Sequence, residues 1–303
     1  MTGSHAQNMA ENPLKRALLS AYLKFAHSRP ARRLWDLGRF PNPNGHADWM
    51  EVSAVNLTLP RLPAEFDRYR IVQISDLHVG TWLKPSNLEQ AVQVVNAQEP
   101  DLVVITGDFV TYLPEHYAPA IIDALGQLAP RDGVLAVLGN HDHWSNPIVV
   151  REMIAGAGAL DLSNRVYTLE RGGKHLHLAG IDCSYLGLDR LDFLLDHLPP
   201  GEAAILLAHE PDFAVRSSAS GRFDLQLSGH SHGGQVSLPR IGPIFLPRHG
   251  RQYPSGLYQI GGMILYTNRG LGTAEIQLRI SCPPEIAVIT LMAPRQSRMS
   301  DSY

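Results

Sequence analysis

An α/β fold is what the sequence predicts, and three observations carry that expectation. Short apolar runs of strand length, Ile71-Val72-Gln73-Ile74, Leu102-Val103-Val104-Ile105 and Val134-Leu135-Ala136-Val137-Leu138, read as buried strands. Each is followed by a stretch of helical character, Pro85 to Ala97, Ala118 to Leu128 and Pro147 to Ala155, which makes βαβ units. The second half is richer in strands joined by Gly/Pro turns: His175 to Ile181, Ala203 to Ala208, Phe223 to Leu227, Leu257 to Ile260, Met263 to Tyr266 and Ile286 to Leu291.

Composition fits a folded chain with a sizeable core. The 303 residues suffice for one large domain or two small ones, and 44% hydrophobic against 18% charged residues excludes wholesale disorder. A formal net charge of -3 argues against a nucleic-acid binder driven by bulk charge, so no stable nucleic-acid complex is expected. Two cysteines, Cys183 and Cys282, cannot form a disulfide scaffold and fit a reducing compartment. No stretch approaches the roughly 18 apolar residues that span a bilayer. The short apolar run Ala17 to Leu23 ends at Lys24 with no small-residue cleavage site after it, so the expected location is cytoplasmic.

Residues 1–45 read as a basic extension, 46–293 as the catalytic domain and 294–303 as a disordered tail. Asn12-Pro13 look like the cap and first position of a helix in which Leu14, Leu18, Tyr22 and Phe25 recur at near-helical spacing. Residues 1–40 hold seven basic and two acidic residues, a net of +5, which leaves -8 for the rest of a chain whose total is -3. Two readings stay open for residues 12–40: an interfacial helix drawn to anionic lipid on the inner face of the membrane, or a solvated helix packed on its own domain.

Five short motifs follow predicted strands. In Asp76-Leu77-His78, residues two apart in extended backbone point to one side and can reach one metal ion. Gly107-Asp108 places a carboxylate at a sharp turn. Gly139-Asn140-His141-Asp142 offers a neutral oxygen ligand and a histidine able to act as acid or ligand. His209 closes an apolar run, and Gly229-His230-Ser231-His232-Gly233-Gly234 presents two histidines at alternate spacing. Each alone has a bland reading as a turn, a cap or a satisfied histidine. Together they bring Asp, His and Asn to the strand ends where open α/β sheets place their sites. This mixed N/O donor set suits a pair of Mn, Fe or Zn ions rather than a structural thiolate site.

In that order, Asp-x-His, Gly-Asp, Gly-Asn-His-Asp, a lone His and Gly-His-x-His resemble the calcineurin-like metallophosphoesterase superfamily over about residues 50 to 292. The resemblance implies a four-layer αββα sandwich. It implies that Asp76, His78 and His232 hold one divalent ion and Asn140, His209 and His230 the other, with Asp108 bridging them. His141 would face the substrate, and Asp142 would orient it. The implied chemistry is in-line attack on phosphorus by a water that the two ions, most simply Mn, make acidic. Asp108 is followed by Phe109-Val110-Thr111-Tyr112, not by the Val-Asp-Arg-Gly of the protein Ser/Thr phosphatases, which argues against protein phosphatase activity.

Several later segments are similar to a bacterial phosphodiesterase-like subgroup: Gly233-Gly234-Gln235-Val236, the Pro-rich stretch 239–247, Gly256-Leu257-Tyr258 and Leu265 to Gly272. Some members of that subgroup resemble enzymes that cleave UDP-2,3-diacylglucosamine. The substrate expected is therefore a phosphodiester or pyrophosphate, lipid-linked or a nucleotide sugar. The alternatives left open are a broad phosphodiesterase or nuclease, a cyclic-nucleotide phosphodiesterase, and a metal-binding scaffold without catalysis. Arg269 and Arg251 are the candidate phosphate-gripping arginines. His143, His175, His177 and His249 show no partner in the sequence.

Overall fold

The computed structural model describes residues 49–295 except 239, 275 and 276. The expected N-terminal helix, and the tail beyond residue 295, lie outside the described residues. Along the first half run β1 (Glu51–Thr58), β2 (Tyr69–Ile74), α1 (Pro85–Asn96), β3 (Leu102–Thr106), α2 (Pro114–Leu125), β4 (Val134–Val137), α3 (Asn140–Ser145), α4 (Pro147–Gly156) and β5 (Leu160–Asp161). Then come β6 (Arg165–Arg171), β7 (Lys174–Gly180), α5 (Leu191–His197), β8 (Ala203–Leu207), α6 (Ala214–Ala219) and β9 (Leu225–Ser228). The small antiparallel pair β10 (Ser237–Leu238) and β11 (Gly242–Pro243) precedes β12 (Gly256–Ile260), β13 (Met263–Thr267) and β14 (Glu285–Met292).

Two six-stranded mixed sheets result, in the orders β1-β14-β2-β3-β4-β5 and β12-β13-β9-β8-β7-β6. Period-two patterning decides which side chain meets which layer. Ile71, Val104 and Val137 from the first sheet meet Leu178, Ile205 and Leu227 from the second in the central core. The alternate residues Val72, Ile74, Val103 and Ile105 point outward onto Leu88, Val92, Ile121 and Ile154 of α1, α2 and α4. On the other side, Ala204, Leu206 and Leu265 meet Leu191 and Leu194 of α5 and Ala214 of α6. The order of layers is helix, sheet, sheet, helix, as expected. Each fully buried Leu or Ile contributes about 1.5–3 kcal/mol, so the strands are held mainly by this double burial.

α1 illustrates the local logic. Pro85 stands at its first position, where a missing N–H costs nothing, and Leu88, Ala91, Val92 and Val95 form its buried stripe. α2 starts four residues earlier than expected, because Pro114 takes the first position and Pro119 lies inside the helix. Burial of Ile121, Ala124 and Leu125 outweighs the hydrogen bond that Pro119 cannot donate. The strands expected from sequence do not include β1, β5, β6, β10 or β11. β1, β5 and β6 are outermost strands whose half-exposed residues give no continuous apolar run, and β10 and β11 are two-residue strands. Among the described residues no helix is long and apolar enough to cross a membrane.

In the first sheet β2, β3, β4 and β5 are parallel, and in the second β7, β8, β9 and β13 are parallel. Their C-terminal ends therefore share an edge, and the five motifs leave from it. Gln73 joins the sheets there: its amide donates to Thr106 Oγ1 and to the Ser228 carbonyl, each at 2.9 Å.

Candidate metal centre

Backbone pairing carries the site residues past the strand ends. The N–H of Asp76 donates to the Gly107 carbonyl at 2.9 Å and that of His78 to the Asp108 carbonyl at 3.0 Å, so the first two motifs lie side by side. The N–H of Gly229 donates to the His209 carbonyl at 2.9 Å, which aligns the fourth and fifth. The His230 N–H then reaches across to both oxygens of Asp76 at 3.0 Å. Asp76, His78, Asp108, His230 and His232 all adopt positive φ, between 45° and 69°. L-residues hold such conformations at a cost of order 1–3 kcal/mol each, and they persist where surrounding structure enforces them. Gly139 and Gly229 permit the close approach: an added Cβ would collide with the Asp108 carboxylate in one case and with Ser75 and Asp76 in the other.

The seven expected ligand residues, Asp76, His78, Asp108, Asn140, His209, His230 and His232, are all buried, and all but Asn140 meet in overlapping groups of ligand atoms. Ligand atoms of Asp76, His78 and His232 lie within 4.8 Å of one another, as do those of Asp108, His209 and His230, and those of His78, Asp108 and His141. Asp108 sits between the groups, with Oδ2 3.5 Å from His78 Nε2 and 3.1 Å from His209 Nε2, while Oδ1 accepts from the His141 N–H at 2.9 Å. His232 Nε2 is 3.2 Å from His78 Nε2 and 3.3 Å from Asp76 Oδ1. Nitrogens packed this closely around carboxylates are donor atoms in want of an acid.

The distal ring atoms fix which nitrogen faces inward. His209 Nδ1 lies 2.6 Å from the Thr106 carbonyl and His230 Nε2 lies 2.7 Å from the Arg248 carbonyl. A carbonyl only accepts, so both nitrogens carry protons, and in the neutral ring the other nitrogen is the one that offers a lone pair. Asn140 Oδ1 is buried without a hydrogen-bond partner, and the one neighbour of His209 Nε2 given by the geometry is the Asp108 carboxylate, at 3.1 Å. An orphaned buried oxygen is rare and fits the lone pair a divalent cation takes up. The donor set of imidazoles, carboxylates and one amide oxygen fits two divalent ions.

Electrostatics follow from burial. Burial lowers His78 to about 3, against the opposing pull of Asp108, and His230 to about 4, and it holds His232 well below its ordinary value. These imidazoles are neutral at physiological pH. Burial, reinforced by Asp108, raises Asp76 to about 6. Burial also works against charge at Asp108 and His209, but there the mutual attraction wins: Asp108 is pulled well below and His209 pushed well above their usual ranges.

His141 stands at the edge of the cluster, its ring 4.8 Å from that of His78 and 4.8 Å from that of Trp144. The Asp142 carboxylate accepts from the backbone N–H groups of Gly139, Phe109 and Asp108 at 2.8–2.9 Å. It thereby clamps the Asp108 turn against the start of α3. Arg269 donates through its guanidinium to Glu285 at 3.2 Å, Glu51 at 3.1 Å and Ser53 at 3.3 Å, which commits its donors to the edge of the first sheet. Arg251 keeps an exposed side chain, and its backbone N–H donates to Asp212. His143 and His177, without evident partners in sequence, meet Asp182 and Glu202, each at 2.6 Å.

Sequence reasoning missed several residues. Thr111 lies 2.8 Å from His78 Nδ1, and buried Arg279, bonded to the carbonyls of Arg269 and Gly270, reaches within 3.4 Å of His232 Nδ1. Tyr185 packs against Trp144, His230 and His249. Trp144 carried a usable signal, since it stands just after the Gly-Asn-His-Asp motif; the others did not.

Comparison with known proteins agrees with the geometry. The family model described as calcineurin-like phosphoesterase matches residues 69–234. The chain is 36% identical over 256 residues to the uncharacterized metallophosphoesterase YkuE of Bacillus subtilis, covering 82% of this chain and 89% of that protein. It is 29% identical over 231 residues to the phosphodiesterase YaeI of Escherichia coli, covering 74% and 82% respectively. An uncharacterized metallophosphoesterase of Campylobacter jejuni is 32% identical over 253 residues, covering 80% of this chain and 63% of its own length.

Proposed function

The chain belongs to the calcineurin-like phosphoesterase family, whose members are hydrolases of phosphate esters with a dinuclear metal site, and from that premise we propose that it cleaves a phosphodiester or pyrophosphate bond. The observation that carries this reading is the burial of Asp76, His78, Asp108, His209, His230 and His232, from both sheets, in one cluster, with Asn140 Oδ1 buried and unpartnered.

In this reading Asp76, His78 and His232 hold one cation, Asn140, His209 and His230 hold the second, and Asp108 is shared. Manganese is the proposed metal, with iron or zinc as substitutes. When bound, the pair supplies charge neutralisation for the phosphate oxygens and acidifies the attacking water. His141 would give its proton to the leaving oxygen as the bond to phosphorus breaks, so that an alcohol departs neutral and a phosphate departs with one negative charge fewer. Asp142 acts one step removed, as a positioning residue: its carboxylate holds the Asp108 turn and the first residues of α3 in register.

The proposed substrate is a lipid-linked phosphodiester or a nucleotide-sugar pyrophosphate such as UDP-2,3-diacylglucosamine. The similarity to a protein named a phosphodiesterase supports a diester over a monoester. The test is a hydrolysis panel on protein stripped of metal and reloaded with Mn. It spans monoesters, chromogenic diesters, cyclic nucleotides, nucleotide-sugar pyrophosphates and DNA. Metal-dependent turnover with kcat/KM highest on a diester or pyrophosphate is expected. Equal turnover with and without metal, or a consistent preference for monoesters, would overturn the proposal.

A further inference from the structure

The loops that hold the polar cluster also carry large apolar side chains into solvent. Tyr112 and Leu113, between β3 and α2, are 67% and 65% exposed. Trp144, in α3, is 51% exposed and Ile148, at the start of α4, 69%. The Asn146 amide donates to Glu115 Oε1 at 2.9 Å and fastens these two loops side by side. Leu186 and Leu188 extend the rim onto the loop after β7, each 42% exposed, beside the contact of Tyr185 with Trp144 at 5.6 Å. An exposed leucine means little by itself, but several large apolar groups on adjoining loops around one polar centre form a patch that calls for a partner.

Where the rest of the chain enters indicates that partner. β1 is parallel to β14, which is antiparallel to β2, so β1 begins at the same pole where β2 ends. Glu51, its first residue, accordingly contacts Arg269, and Trp49 packs on Trp82, in the loop after β2, at 5.5 Å. The described chain thus begins at the pole where the site loops leave the sheets, and the sequence before it carries a net charge of +5 over its first forty residues. Exposed apolar groups on a chain whose preceding sequence is basic match a bilayer surface of negative charge, where insertion and attraction to headgroups add.

We propose that this pole is a docking face for an anionic lipid surface, with Leu113 and Ile148 entering the headgroup region and the metal centre held over it. The proposal deepens the phosphohydrolase reading by placing the site at lipid-borne phosphates, yet the docking itself can be measured without catalysis. The alternative occupant is the chain's own N-terminal segment, whose Leu14, Leu18, Tyr22 and Phe25 would then cover the rim.

The experiment is co-sedimentation of the full chain with vesicles of phosphatidylcholine alone or mixed with phosphatidylglycerol, at low and physiological salt. Wild type should bind the mixed vesicles, and Leu113→Glu/Ile148→Glu should lower partitioning on the order of a hundredfold at both salts. Its hydrolysis of a soluble chromogenic diester should stay unchanged. Lys15→Glu/Arg16→Glu should weaken binding only to the mixed vesicles and flatten the salt dependence. Wild-type-like binding by Leu113→Glu/Ile148→Glu overturns the proposal. So does absence of wild-type binding together with a lowered thermal midpoint in that variant, the signature of a rim covered by the chain itself. If the rim-dependent binding is found but Mn-loaded protein hydrolyses nothing in the panel, the docking face stands and the phosphohydrolase reading fails.

Discussion

The Thr111 hydroxyl lies 2.8 Å from Nδ1 of His78, and both side chains are buried. With Nδ1–H donating to Thr111 Oγ1, Nε2 is left as the nitrogen that faces His232 and Asp108. Thr111→Val removes the acceptor at nearly constant volume. Affinity for Mn should fall about 10–100-fold, the usual effect of losing such a support, with the fold retained. Titration calorimetry on the metal-free protein reads this directly, and Thr111→Ser should recover most of the loss.

Ligand and proton donor should separate by mutation. Asp108→Asn and His230→Ala should lose most bound metal and nearly all activity, because each removes a direct contact. His141→Ala should keep its metal while kcat falls about 10²–10⁴-fold, the range for a lost general acid. Metal content by mass spectrometry beside kcat decides the point. Loss of metal in His141→Ala would make that residue a ligand, a role the proximity of His78, Asp108 and His141 makes geometrically accessible.

Gly139→Ala tests the close packing at the start of α3. The new methyl group would collide with the Asp108 carboxylate, so either the turn moves or the carboxylate does. A destabilisation of about 1–3 kcal/mol is expected, as for other overpacked sites. Metal content should drop with it. An unchanged thermal midpoint and full metal content would show that the turn has slack the structure does not suggest.

Metal affinity should fall on acidification, in two stages. His209 is held above its ordinary value, so the cation must displace its proton near neutrality. Asp76 is held at about 6, so below that pH a second proton competes. The slope of log affinity against pH should therefore steepen from about one to about two between pH 7 and 5. His78 and His230, lowered to about 3 and 4, stay neutral across this range and add nothing. Equilibrium dialysis against Mn at several pH values measures the slope, and a flat profile contradicts the assignment.

The site was legible in the sequence to the extent that its residues sit directly after apolar runs. Asp76, Asp108, Asn140, His209, His230 and His232 each follow a strand whose hydrophobicity announces it, and their order is read along the chain. What supports them was hidden, because it rests on long-range pairing. Gln73 and Ser228 are 155 residues apart, and Arg279 meets His232 across 47. Arg269 shows the same limit from the other side. In sequence it is a cation in a glycine loop, while in the fold it pairs with Glu51, 218 residues away. β1 and β6 escaped notice for a different reason: a strand at a sheet edge needs only one covered side.

Each candidate ion would draw its ligands from both sheets. Asp76 and His78 belong to the first and His232 to the second, and Asp108 belongs to the first while His209 and His230 belong to the second. Loading the centre therefore rivets the two halves of the molecule along their shared edge. A chelator would do more than silence chemistry, since it would loosen a seam otherwise closed by the central core and its hydrogen bonds. Gln73, bonded to both halves beneath the cluster, is one stitch that stays, and Tyr266 on Glu285 is another. The catalytic inventory and the mechanical integrity of the fold are, at this edge, the same set of atoms.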